Sequence, residues 1–465
     1  MRRGDRKPGL LAKVIAFASA GVAVAAGAAP AVELAPSARP GISWELNDRI
    51  AITPPPPSSV NLPSHPLTLA ELTDLALLNN PRTREVWAAA RAEAAALGIA
   101  ESAFFPTLDA IISVSRGNSG SGGSQTRISP SISLSYVLFD FGARAASAEA
   151  ARYTLLASNL AHNRALQDVV LRVEQAYYQL LGARQTIVAA EESLRTAQVS
   201  FDAADARRQA GLATVGDVYQ AQTALAQARL ALQRANGDTT KFKGELASAV
   251  GLPVNSAFEV AAAGELPLRE VKSSVDEYLL KARASRPDLV AAEAEFRAAR
   301  ARVDAAQAQG RPSIELGANV GRSYVSGAND SSNNSIGLNL RIPLFNGYRT
   351  RYSVEQAEAR AEQLAATRER IAREVELDVW QAYSDLETAN VQIDSARALL
   401  QSATLSRQVA QERYRAGVGN VIELLSAQAA EADARVQVIQ AELGWYSALS
   451  RLNNAIGIFS ASTGS

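Results

Sequence analysis

Two rhythms of apolar residues alternate along this chain. From about 82 to 104, from 142 to 209 and on to about 250, apolar residues return every three or four positions with charges between them, the spacing of one helical face. Between the first two stretches the period drops to two. In ISPSISLSYVL, Ile128, Pro130, Ile132, Leu134, Tyr136 and Leu138 share one side while serines fill most of the other. Leu108, Ala110, Ile112 and Val114 alternate in the same way just before it. The pattern predicts helix, two strands split by a polar loop, one very long helix, a bend and a last helix.

The second half repeats that order. Gly211 of AGLATVGDVYQAQ and Gly417 of AGVGNVIELLSAQ stand 206 residues apart, and the same separation carries Pro81 to Pro287 and Pro106 to Pro312. It also carries Leu138-Phe139 to Leu344-Phe345, Ala228-Arg229 to Ala434-Arg435 and Gly251 to Gly457. The chain is an internal duplication. The reading assigns 67–257 to the first repeat, with strands about 107–116 and 128–139 and a tip about 209–216. The second repeat takes 273–458, with strands about 313–325 and 335–345 and a tip about 415–421.

In the long helix, Leu166, Val170, Val173, Tyr177, Leu180, Arg184, Ile187, Glu191, Leu194, Gln198 and Phe201 follow alternating steps of four and three. That is a coiled-coil-like seam, and such a helix would be about 100 Å long. The two shorter helices of each half sum to nearly that length, so they could flank it end to end as one column.

Four alternating strands, each near the ~9–11 residues of a tilted membrane-spanning strand, leave open edges that lipid does not tolerate. Single-chain bacterial barrels start at about eight strands, so closure calls for several copies; two would give eight strands and a filled interior, three would give twelve and room for a pore. The loops at 117–126 and 326–334 are rich in Gly, Ser and Asn. The first joins strand to strand, which argues against a phosphate-binding loop.

Composition narrows the function classes. The chain has 465 residues, no cysteine, two histidines (His65 and His162), and 47 basic against 47 acidic residues, so nothing marks a nucleic-acid binder. The first 31 residues read as a secretory signal: a basic start, an apolar run of small residues, and the triplets Ala26-Gly27-Ala28 and Ala29-Pro30-Ala31. Its removal leaves 42 basic against 46 acidic residues. Residues 32–66, with Pro54 to Pro57, read as an extended strap, and 459–465 as an unpatterned tail. No catalytic constellation, metal site or cofactor motif is expected.

The leader, the duplicated order and the strand exits LFDFG and PLFNG (Phe139, Gly142, Phe345, Gly347) resemble those of TolC-like outer membrane efflux proteins. The resemblance implies a mainly α fold with transmembrane β: a homotrimer whose twelve-stranded barrel sits in the outer membrane of a Gram-negative bacterium. Its coiled-coil-like helices would form a periplasmic tunnel for small molecules or proteins. The implied partners are outer membrane lipid, a periplasmic adaptor and an inner-membrane ABC or RND-type pump. Each bend becomes a periplasmic tip, with the adaptor docking around Gly211, Leu212, Gly417 and Val418.

The family's gate, carried over, is an aspartate linked to a tyrosine, here Asp217 and Tyr414, with Glu423 as a carboxylate ring at the entrance. A family arginine that adds to this lock is Gly419 here. Beside these roles, Thr214-x-x-Asp217 and Asn420-x-x-Glu423 read as helix caps, and Tyr414 as interhelical packing. The rival function is a periplasmic coiled-coil adaptor or scaffold, which normally carries one hairpin per chain rather than two.

Overall fold

The computed structural model describes residues 65–118, 124–261, 274–326 and 329–458. The predicted leader, nearly all of the strap and the tail lie outside these residues.

The first repeat runs α1 (Leu69–Asn79), α2 (Pro81–Ser102), β1 (Thr107–Asn118), β2 (Ser124–Phe139), α3 (Ala143–Gln209) and α4 (Val215–Val250). The second runs α5 (Val275–Ser285), α6 (Pro287–Ala308), β3 (Ser313–Val325), β4 (Ser331–Arg341), α7 (Arg349–Arg415) and α8 (Val421–Ala455). Eight of the twelve boundaries recur at the separation of 206 found in the sequence.

Helices α1 and α5 were not anticipated. Each ends where a proline forbids continuation, at Asn80-Pro81 and Arg286-Pro287. Each starts on a capping signal. Thr68 and Glu71 form a full capping box, and the Ser274 hydroxyl accepts the Glu277 amide.

The end-to-end column is formed, and one residue makes each splice. The Asn80 side chain, at the start of α2, donates to the Ala249 carbonyl at the end of α4 at 2.8 Å. Arg286 does the same for the Ala455 carbonyl of α8 at 3.1 Å. Gly251 (φ 85°) seats this junction so closely that a Cβ would lie 2.8 Å from the Asn79 carbonyl oxygen. Arg286 is buried and grips Asp288 (Nε to Oδ1, 2.9 Å) and Asp378 (3.3 Å). Burial raises the Asp288 pKa, and the Arg286 hydrogen bonds and charge more than reverse this, leaving it lowered.

Around these splices sit the two apolar cores, built from equivalent positions. Val169, Val173, Leu180, Leu246 and Val250 form one; Val375, Val379, Leu386, Leu452 and Ile456 form the other. Trp445 is fully buried in the second.

The interhelical seam differs from the reading along its tip-ward half. Leu166, Val170, Val173, Tyr177 and Leu180 are buried as expected, but Ile187, Leu194 and Phe201 are half-buried and Glu191 is exposed. The buried line is instead Ala176, Ala183, Ala190, Ala197 and Ala204, one every seventh residue, and α7 repeats it with Ala382, Ala389, Ala396, Ala403 and Ala410. A strict seven-residue period fits a left-handed supercoil, and alanine lets the helices approach closely. His162 lies on the same line, buried; burial lowers its pKa while the Asn163 hydrogen bond opposes the shift.

The strands form one antiparallel sheet in the order β1-β2-β3-β4, so the two repeats meet at β2–β3 and, among the described residues, both outer edges are unpaired. Strand β4 spans Ser331–Arg341 rather than 335–345. Its last partner is Ser313, which follows Pro312, and Pro343 has no N–H to extend the ladder. Ile342, Leu344 and Phe345 therefore lie beyond the strand. Strand β2 starts earlier than expected, at Ser124, because 115–118 pair with it.

Candidate functional site

Two regions carry chemistry relevant to function: the sheet and the two hairpin tips. Register fixes the faces of the sheet. Leu108 opposes Leu134, which opposes Ala318, which opposes Ile336, and neighbouring rungs add Ile132 with Val320 and Tyr136 with Leu316 and Leu338. The other face presents Asp109, Ser133, Asn319 and Ser335 on one rung and Ile111, Ser131, Gly321 and Asn333 on the next. One side is therefore mainly apolar, Asn334 opposite Val320 being an exception, and the other, Ile111 apart, is mainly small and polar. The Ser135 hydroxyl donates to Glu315 on that polar side.

The strand exits turn on pairs of residues with positive φ: Phe141 (51°) and Gly142 (96°) in one repeat, Gly347 (64°) and Tyr348 (63°) in the other. At the first, Asp140 accepts the Arg144 amide at 2.9 Å and its Nε at 2.8 Å, which caps α3. Phe139 meets Phe141 edge-on at 4.6 Å, and Phe345 meets Tyr348 at 5.5 Å. With exposed Phe105, these rings make an aromatic band at the helix end of the sheet, a feature of barrel–membrane interfaces.

Each tip is a tight helix end. Gly211 (φ 74°) and Gly417 (φ 76°) take the left-handed conformation, and the Leu212 and Val418 amides reach back to the Arg207 and Arg413 carbonyls. The Leu212 and Val418 side chains are each 71% exposed. Thr214 and Asp217 form a complete capping box, the Asp217 carboxylate taking the Thr214 amide at 2.8 Å and hydroxyl at 3.0 Å. Asn420 caps α8 by accepting the Glu423 amide at 2.7 Å.

The family's Asp–Tyr link is not made within this chain. Asp217 is taken up by its own cap, while Tyr414 is buried and its hydroxyl finds no hydrogen-bond partner among the described residues. The Tyr414 ring lies under Arg207, 4.6 Å from the guanidinium carbon. Nor is Glu423 a free carboxylate: Arg413 pairs with it at 2.8 Å. Gly419 is closely packed, since a Cβ there would lie 3.0 Å from the Arg413 Cβ and 3.1 Å from the Tyr414 nitrogen.

Sequence reasoning missed both arginines. Basic residues in a last helical turn read as complements to the helix dipole, and nothing local says which of them reaches another hairpin.

A family model for outer membrane efflux proteins matches residues 72–252 and again 279–458, one match per repeat. The chain belongs to the outer membrane efflux protein family. It is 33% identical over 398 residues to Protein CyaE of Bordetella pertussis, covering 84% of this chain and 82% of that one. It is 29% identical over 374 residues to outer membrane protein OprJ of Pseudomonas aeruginosa, covering 77% and 78%. Among solved structures, a crystal structure of CusC superposes with TM-score 0.76 at 24% identity, covering 84% of this chain and 92% of that one. A membrane protein from Pseudomonas aeruginosa gives 0.73 at 28%, covering 84% and 93%.

The protein is thus an outer membrane export channel, and the adaptor reading is set aside. No helix among the described residues is long and apolar enough to cross a membrane.

Proposed function

We propose that three copies pool their sheets into one twelve-stranded barrel, continued by their helices as a periplasmic tunnel, in the outer membrane of a Gram-negative bacterium. One observation carries this reading. A four-stranded sheet with an apolar face and two edges unpaired among the described residues leads directly into 67-residue helices. Lipid does not tolerate free edges, and four strands cannot close alone. Residues 1–31 direct export to the periplasm.

The tips form the tunnel entrance. Leu212 and Val418, on turns set by Gly211 and Gly417, offer apolar contacts to a periplasmic adaptor that couples the tunnel to an inner-membrane pump of the ABC or RND type. Tyr414, Asp217 and Glu423 belong to the gate there, Asp217 through the cap it provides and Glu423 through its pairing with Arg413. Cargo is set by the pump. The relatives' names point to different cargoes, pyoverdine export for OpmQ and cation efflux for CusC.

The test is reconstitution of the purified protein in planar bilayers. Discrete trimer-dependent conductance supports the reading. A non-conducting protein recovered from the soluble periplasmic fraction would end it.

A further inference from the structure

The arginines of the two tips are related by the duplication yet used differently. Arg413 stays within its own hairpin and pairs with Glu423 at 2.8 Å. For its counterpart Arg207 the equivalent acid is Asp217, which is one methylene shorter than Glu423 and closed on Thr214. Arg207 crosses to the other hairpin instead. Its Nη1 donates to the Tyr414 carbonyl at 2.6 Å, and its plane covers the Tyr414 ring at 4.6 Å.

That carbonyl lies in the last turn of α7, at the negative end of the helix dipole, where a cation is favoured. It also accepts the Gly417 amide at 3.2 Å, so Arg207 holds the turn that shapes the second tip. The nearest rung behind it is the Ser200–Gln428 hydrogen bond, about 10 Å up the helix.

We propose that Arg207 is the latch that fastens the two hairpins of each copy when the tunnel entrance is closed. The proposal deepens the reading above and rests on the tips being the entrance. The cation comes from the first hairpin, since Gly419 puts no side chain at the matching place on the second. The latch engages the ring and carbonyl of Tyr414, not its hydroxyl, which is buried without a partner among the described residues. An Asp–Tyr lock needs that hydroxyl; an Arg207 latch does not.

The experiment compares single-channel recordings of Arg207→Gln, Arg207→Lys, Tyr414→Phe and Tyr414→Leu trimers, each checked for heat-dissociation of the trimer on gels. Arg207→Gln raises the open fraction by about tenfold or more, the factor that one charge-assisted hydrogen bond carries. Arg207→Lys is intermediate, because it keeps the charge but loses the planar stack. Tyr414→Phe stays at the wild-type level, while Tyr414→Leu opens the channel. The double variant Arg207→Gln/Tyr414→Leu opens less than the product of the two single effects.

Wild-type behaviour of Arg207→Gln in intact trimers overturns the latch, as does opening by Tyr414→Phe equal to that by Arg207→Gln. Fully multiplicative effects in the double variant do so too. If the wild type itself forms no channel, the channel reading fails first, so the two failures are distinguishable.

Discussion

An arginine placed at Ile336 should prevent assembly in lipid, while one placed at the adjacent Ser335 should be tolerated. Ile336 shares a rung with Ala318, Leu134 and Leu108, and its side chain is 78% exposed in the single chain. The apolar face of β2 extends from Ile128 to Leu138. That is about 33 Å along a strand, or about 25 Å of membrane depth at a tilt near 40°. Ile336 lies close to its middle.

A lipid-facing arginine at midplane costs about 2–4 kcal/mol, and a trimer carries the penalty three times, about 6–12 kcal/mol. Per copy the folding equilibrium should shift by about 30- to 1,000-fold. Ser335 opposes Asn319 on the polar face, where an arginine keeps its water and costs within about 0.5 kcal/mol. The assay is urea titration of folding into phospholipid vesicles, followed by tryptophan fluorescence and by heat-dependent migration of the trimer. Equal penalties for the two variants, or a larger one for Ser335→Arg, would refute the assignment of faces and with it the membrane role of the sheet.

Because Arg413 neutralises Glu423, Arg413→Gln should raise cation preference several-fold in reversal-potential measurements at low salt, and Glu423→Gln, which leaves the Arg413 charge uncompensated, should shift preference toward anions. Both differences should fade near 1 M salt, where the screening length is about 3 Å. Gly251→Ala forces a Cβ to 2.8 Å from Asn79 and Asn80 backbone atoms in a left-handed conformation, so melting followed by circular dichroism should show a loss of about 2–5 kcal/mol. Gly142→Ala meets nothing within 4 Å and should lose only the conformational part, about 1–2 kcal/mol. The lowered pKa of Asp288 contributes stability that is present above the ordinary aspartate range and is lost as pH falls through the folded value. Melting temperature should therefore drop below about pH 4, and Asp288→Asn should flatten that acid limb.

The elements legible in the sequence were those whose signal is local. Alternation placed all four strands, the prolines at 106 and 312 bounded them, and the glycines at 211 and 417 marked the bends. Two short helices escaped because eleven residues before a proline hold too few turns to show a period. Their start signals, Thr68-x-x-Glu71 and Ser274-x-x-Glu277, were present all the same.

The alanine seam escaped for a different reason. A search for large apolar residues follows Ile187, Leu194 and Phe201, whereas closely spaced helices bury Ala190, Ala197 and Ala204. The tip was legible as caps and turns but not as a latch. Thr214-x-x-Asp217 announces its capping box and Asn420 its cap on the Glu423 amide from three residues away, while Arg207 meets Tyr414 across 207 residues of chain. Which arginine crosses depends on Asp217 being shorter than Glu423 and on how two hairpins pack.

Native mass spectrometry of the detergent-extracted protein addresses the shared barrel most directly. The predicted spectrum is a single species of three copies that resists dissociation until heated. A single copy, monodisperse in water without detergent, would contradict it.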